Sequence, residues 1–180
     1  MQRILIDSPR ISVFNANGME KTEAGWSLAR VPAAWRARFP EATASRAMQV
    51  GGVEIRFRTD SRRIGLEGTF RTQAGDPMVV DLYYGRNWVG TKLTEDLGRE
   101  RTFLLWEGAS PGTEDAWRVM FHPCSTVDLR YVLVEEGATT ESVPALCDGP
   151  RILVHGGFDH AWNAGFPTRA DVCGAVGLSP

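Results

Sequence analysis

Lysine is nearly absent from this chain. Of its 20 basic residues only Lys21 and Lys92 are lysine, and the other 18 are arginine. Arginine is encoded mostly by CGN triplets and lysine by AAR, so the bias points to a GC-rich coding sequence. Cysteine is scarce as well. Cys124, Cys147 and Cys173 are an odd number at wide spacing, with no CxxC and no His pair at zinc-ligand spacing. A disulfide framework and a zinc site are therefore not expected, and the thiols read as small apolar packing groups. No metal and no cofactor is called for. A charge excess is missing too: 20 basic residues face 22 acidic ones, for a net charge of −2. That gives no electrostatic case for nucleic acid or an anionic membrane as partner. No run approaches the roughly 18 apolar residues of a membrane span. The start, Met1-Gln2-Arg3-Ile4-Leu5-Ile6-Asp7, is too short in apolar residues for a secretory signal, so the sequence reads as cytoplasmic.

What is present is a chain of 180 residues, 43% hydrophobic and 23% charged. A chain of this length buries about 70% of its unfolded surface and needs no covalent staple to fold. Strand-like alternation dominates residues 50 to 135. Val53, Ile55 and Phe57 point one way, and Glu54, Arg56 and Arg58 the other, which is the period of a half-buried strand. Thr59-Asp60-Ser61 supplies turn chemistry before Ile64, Leu66 and Phe70 resume the pattern, so the pair predicts a β-hairpin.

Further strands are predicted at Met78–Tyr84, Trp88–Leu93, Thr102–Trp106, Trp117–Phe121 and Val127–Val134, with an earlier one at Trp26–Val31. In Val127–Val134 the expected dry face is Val127, Leu129, Tyr131 and Leu133, against Asp128 and Arg130. Short helical turns fit Ala33–Arg38 after Pro32, and Glu41–Met48 after Pro40. The pattern as a whole predicts an all-β fold, an antiparallel β-sandwich of jelly-roll type, over residues 1–136.

Composition changes after Glu136. Residues 137–150 read as a linker of Gly, Thr, Ser, Pro and Asp without periodicity. Arg151–Gly157 (RILVHGG) then looks like the first buried strand of a parallel α/β sheet, ending in the Gly-Gly where such enzymes place nucleophiles and ligands.

Four stretches carry a family resemblance: Trp26–Pro32 (WSLARVP), Arg46–Arg62 (RAMQVGGVEIRFRTDSR), Trp117–Pro123 (WRVMFHP) and Arg151–Gly157 (RILVHGG). The block GVEIRFRTDS, Gly52–Ser61, is the most specific. They resemble SGNH/GDSL-type ester hydrolases that carry an N-terminal β-sandwich. The resemblance implies a serine nucleophile in a Ser-Ile-Thr-x-Gly turn directly after RILVHGG. It also implies an oxyanion hole completed by a later Gly and Asn, and a late Asp-x-x-His that supplies the base and its orienter. The implied substrates are acyl esters, including acetyl groups on carbohydrate.

Phe158 occupies the expected Ser position, and Asp159-His160-Ala161-Trp162 follow it. Phenylalanine has no nucleophilic atom, so the chain has no catalytic residue of that family and is expected to be inactive alone. Residues 158–180 match no part of the family pattern. Read one base on, the same nucleotides tell another story. Trp162 is TGG and Asn163 begins AA, so the shifted frame must encode Gly there. The preceding overlaps permit Ser-Ile-Thr-His, and GC-rich codons continue as TQASRPEPTYAARSGL. One extra G within the codons of Gly156-Gly157 accounts for this, so the tail reads as frameshifted and the catalytic domain as truncated.

Several other residues invite functional readings. His155, Asp159 and His160 fit no ligand motif, because the two histidines stand five apart. His122, before Pro123, reads as a solvated or backbone-bonded imidazole at a strand end. Trp117 shares a face with Val119 and Phe121 and belongs to the core. Trp88 and Tyr83 are the candidates for an exposed aromatic platform that would bind glycan. Arg56, Arg58, Arg62 and Arg63 read as a solvated face, or one that meets the missing catalytic domain. Two functions follow: an accessory domain of an SGNH/GDSL esterase, or a stand-alone sandwich that binds carbohydrate or protein.

Overall fold

The computed structural model describes residues 1–72, 77–95, 97–123 and 125–144. Met1–Pro144 forms one compact unit. Its strands are β1 (Gln2–Leu5), β2 (Ser12–Phe14), β3 (Gly18–Thr22), β4 (Gly25–Ala29), β5 (Glu54–Thr59), β6 (Arg63–Thr72), β7 (Met78–Tyr84), β8 (Asn87–Thr94), β9 (Glu100–Glu107), β10 (Trp117–Phe121), β11 (Ser125–Val134) and β12 (Thr140–Glu141). Two short helices, α1 (Ala33–Arg36) and α2 (Glu41–Ala47), lie between β4 and β5. The fold is the expected all-β sandwich of two antiparallel sheets.

The first sheet has the order β3-β4-β11-β6-β9, and the second β12-β5-β10-β7-β8. Each also holds one more short strand. β1 lies along Tyr131–Val134 of β11, while β4 pairs with Asp128 and Leu129 of the same strand. β2 likewise pairs with Glu54–Arg56 of β5, and β12 with Arg58 and Thr59. Sequence patterning misses β1, β2, β3 and β12. They are two to five residues long, too short for a period of two to stand out.

Between the sheets the inward side chains interlock. Ile55 and Phe57 of β5, Val80 and Leu82 of β7, and Trp117, Val119 and Phe121 of β10 meet Ile64, Leu66 and Phe70 of β6 and Val127, Leu129, Val132 and Val134 of β11. Ile4, Ile6 and Leu28 also belong to that core. Trp117 is buried as expected, with Trp106 and Tyr84 packed on its ring at centroid distances of 5.5 and 5.4 Å.

Three local expectations are corrected. The first is the hairpin: β5 and β6 belong to different sheets, so Asp60–Arg62 is a corner between layers. Alternation is satisfied by either geometry, and the corner's hydrogen bonds select this one. Thr59 Oγ1 donates to Thr139 O at 2.6 Å, and Thr139 N donates to Asp60 Oδ1 at 2.8 Å. The fully buried Ser61 accepts from Glu135 N at 2.9 Å and donates to Arg63 O at 2.5 Å. The corner therefore bonds to the β11–β12 connection, where a hairpin would have turned β6 back along β5.

The second is the dry face of β11. A bulge between Leu129 and Tyr131 adds one residue, so the side chains in the inter-sheet core are Val127, Leu129, Val132 and Val134, while Leu133 is buried as expected but outside that core. Tyr131 turns outward under the Arg3 guanidinium, 5.7 Å from its ring centroid. Glycines flank the bulge on both sides. A Cβ on Gly68 would stand 2.4 Å from Asp128 O, and one on Gly25, whose φ is +135°, 2.7 Å from Leu129 O.

The third is the linker, expected to start at residue 137. The compact unit runs on to Pro144. β12 pairs with β5, Thr140 is buried, and Ser12 Oγ donates to Val143 O at 2.7 Å. Two strand residues without alternation carry no periodic signal, yet they cover the end of β5. Residues 151–157, Phe158, Asp159, His160 and the three cysteines lie outside the described residues.

Candidate functional site

The outer face of the second sheet is laid out in cross-strand rows. In one row Trp88, Tyr83, Arg118, Arg56 and Ser12 stand side by side on β8, β7, β10, β5 and β2. In the next, Thr91, Asp81, Met120, Glu54 and Phe14 do the same. Facing pairs in such rows lie within contact range, so each row acts as a continuous strip of side chains.

The centre of this face is charged and dry. Glu54 is fully buried between two arginines. Arg56 binds it with Nε at 2.6 Å and Nη2 at 2.8 Å, and Arg118 Nε donates to the same Oε1. Phe14 lies over the Arg56 guanidinium at 4.1 Å, and the Tyr83 ring lies 5.1 Å from that of Arg118. Arg118 also donates to Gly85 O at 3.2 Å. Arg56 Nη1 is buried without a hydrogen-bond partner. Burial works against the Glu54 charge, but the hydrogen bonds and positive charges of Arg56 and Arg118 outweigh it. Its pKa ends below the ordinary carboxylate value.

The reading of Arg56 as part of a solvated face is thus corrected, since only 1% of it is exposed. Sequence alternation shows which face a residue takes, and nothing in it shows that Phe14, a distant residue, closes over that face. Arg62 and Arg63 do match the solvated reading. They pair with Glu135 and Glu107 at 3.5 and 3.3 Å on the surface.

Toward β8 the face opens. Trp88 is 62% exposed, as expected for a platform residue, whereas Tyr83 beside it is only 6% exposed. The Tyr83 half of the proposed aromatic pair is therefore corrected. Its ring lies against the Arg118 guanidinium, beside Trp88 across the strand pair. Trp88 reaches this face through a bulge: Tyr83 pairs with Trp88 and Leu82 with Gly90, which leaves Val89 unpaired.

Next to Trp88 sits a cluster that sequence reading missed. Thr91 Oγ1 donates to Asp81 Oδ1 at 2.5 Å, and His122 Nε2 lies 2.6 Å from Asp81 Oδ2. Burial again opposes the charge, and the bonds from His122 and Thr91 with the charge of His122 overcome it. Asp81 is held below the ordinary carboxylate range. His122 is partly solvated, as expected, and its ring bond runs to a side-chain carboxylate in place of the backbone. Only the register of β7 against β10 brings the two together, and register is not readable from composition.

This cluster is not a nucleophile relay. In Ser-His-Asp chemistry the imidazole bridges hydroxyl and carboxylate, so that it can take the hydroxyl proton. Here the carboxylate of Asp81 is the bridge, and Thr91 points its proton at an anion. Beside this cluster, a slot lined by Leu82, Val89, Leu105 and Trp106 measures about 90 Å³, well under the roughly 300 Å³ of a small-molecule pocket. A wider, open hollow of about 480 Å³ lies away from it, between Asp60, Arg62, Arg63 and Glu135. Among the described residues no group of three or more His, Cys, Asp or Glu could hold a metal ion. No helix among them is long and apolar enough to cross a membrane.

No protein-family profile matches the chain, and no curated protein matches it by sequence. Solved structures do match. A salicylyl-acyltransferase from a tetracycline biosynthetic pathway superimposes with a TM-score of 0.69 at 18% identity, covering 81% of this chain and 42% of that one. The sandwich is similar to part of an acyltransferase. Less similar are a family-two carbohydrate esterase from Cellvibrio japonicus (TM-score 0.45, 12% identity, 78% of this chain and 33% of that one) and a GDSL-like lipase from Bacteroides ovatus (0.46, 18%, 73% and 43%). The acyltransferase likeness shows a shared fold, and this chain spans less than half of that protein's length.

Proposed function

We propose that residues 1–144 are the accessory sandwich of an SGNH/GDSL-type acyl-ester hydrolase or acyltransferase whose chemistry belongs to an α/β domain beginning at Arg151–Gly157. The observation that carries this reading is the sandwich itself. It shares the fold of part of an acyltransferase and spans 42% of that chain. Six residues beyond it in sequence come the residues RILVHGG, which resemble the strand before the family's nucleophile.

In that chemistry a serine oxygen attacks the acyl carbonyl while a histidine takes its proton. The C–O bond to the leaving alcohol breaks, and the histidine returns the proton to it. Water or a second alcohol then releases the acyl group. This chain has Phe158 where that serine belongs. It therefore supplies the sandwich but not the reaction, and a one-base shift at Gly156-Gly157 accounts for the lost serine. Hydrolysis of nitrophenyl acetate by the 180-residue chain tests the reading. No turnover above buffer is expected. Turnover abolished by Asp159→Ala or His160→Ala would overturn it, because the tail would then hold a working site of its own.

A further inference from the structure

We propose that the Trp88 edge of the second sheet is a carbohydrate-binding platform that takes the face of a pyranose ring. This inference does not rest on the accessory role, since the site is complete within the sandwich.

A sugar-stacking tryptophan has to be exposed on one face, fixed in orientation, and flanked by groups that bond hydroxyls at the ring's edge. Trp88 meets each condition. It lies on β8, which ends the second sheet, and 62% of it is open to solvent. Its place on this face is set by the bulged pairing of β7 with β8. Across the strand pair stands Tyr83, itself buried against the Arg118 guanidinium. A fixed aromatic surface loses little conformational entropy on binding, which favours affinity.

The bulge at Val89 supports the same reading. Trp88 and Thr91 are three apart in sequence, so in a regular strand they would point to opposite faces. With Val89 unpaired they share the outer face, because Trp88 pairs with Tyr83 and Thr91 with Asp81. Bulges re-aim side chains in this way, often beside functional sites. The result sets a ring beside a carboxylate, a hydroxyl and an imidazole, the last with 42% of its side chain exposed.

A pyranose offers a matching pattern, with C–H bonds on its face and hydroxyls around its rim. Its apolar face fits the indole, and its rim fits Asp81, Thr91 and His122. A protein partner fits less well. Stable protein interfaces bury on the order of 800 Å² per partner, and on β8 the large exposed apolar side chains are Trp88 and Leu93, with Thr91 between them.

Titration of the full 180-residue chain with xylohexaose, cellohexaose, mannohexaose and chitohexaose, followed by tryptophan fluorescence and calorimetry, tests this. Saturable binding of at least one is expected. Trp88→Ala should weaken it by about tenfold or more, while Trp88→Phe keeps an aromatic face and most of the affinity. Asp81→Asn should weaken it less than Trp88→Ala. Trp35→Ala, which removes another exposed indole on α1, should leave it unchanged. Thermal melts of each variant separate lost binding from lost fold. No saturable binding to any hexasaccharide up to about 10 mM overturns the proposal, as does full affinity in Trp88→Ala. Binding of a proline-rich decapeptide at Trp88 in place of every sugar also overturns it. Any of these failures leaves the accessory role standing, and an active 180-residue esterase would leave the platform standing.

Discussion

Arg56 grips Glu54 with two parallel hydrogen bonds, 2.6 and 2.8 Å long, from two residues along the same strand. Both side chains are buried, and Arg118 closes on the carboxylate from the neighbouring strand. Removing the single anion from this group would leave two guanidinium ions buried side by side. Breaking a buried pair in this way costs about 3–5 kcal/mol. Glu54→Gln should therefore lower the unfolding free energy by an amount of that order in a urea titration. A loss within the scatter of surface substitutions would show that the group contributes little.

The same carboxylate sets an acid limit. Its pKa in the folded protein lies below the unfolded value of 4.5. The ionised form therefore adds stability above the unfolded value, and this is lost as pH falls through the folded value. Asp81, held below its unfolded 3.8, acts in the same direction. Melting temperature should accordingly fall as pH drops below about 4.5. The fall should be shallower in Glu54→Gln, starting from its lower plateau. Equal slopes in the two proteins would contradict this.

Gly68 faces the β11 bulge so closely that a Cβ would stand 2.4 Å from Asp128 O, a backbone atom that cannot swing aside. Gly68→Ala should destabilise by about 1–3 kcal/mol through the strain of overpacking. Gly90→Ala serves as the control, since a Cβ there meets nothing within 4 Å. Matching melts for the two variants would refute the account of the bulge.

Ser61 ties the corner between the sheets to the end of β11. Its hydroxyl accepts from Glu135 N and donates to Arg63 O, and the residue is fully buried. Ser61→Ala would leave both backbone groups without this partner, at a cost of about 1–3 kcal/mol. The exposed Arg62→Ala should cost far less. Hydrogen exchange at Glu135 N should rise in Ser61→Ala, and unchanged exchange there would remove the corner's assigned role.

Much of the sandwich was legible because its strands alternate cleanly. Met78–Tyr84 and Trp117–Phe121 fall where their patterns place them, and Trp117 is core as its face requires. What stayed hidden depends on distant partners. Turn residues at 59–61 suit a hairpin and a corner alike, and only Glu135 and Thr139 decide between them. The bulge at Arg130 shifts the face of everything after it, and no residue type announces it. The site was half legible. An exposed Trp88 could be expected from Asn87 and Gly90 beside it. The Asp81–His122 contact joins residues 41 apart, through a register that the sequence does not encode locally.

The nucleotide sequence from the codons of Gly156-Gly157 onward tests the central claim most directly. The account predicts that the frame one base on encodes Ser-Ile-Thr-x-Gly at once, and an Asp-x-x-His block further downstream. If no frame holds either motif, the sandwich does not introduce an SGNH/GDSL catalytic domain, and the proposed function is wrong.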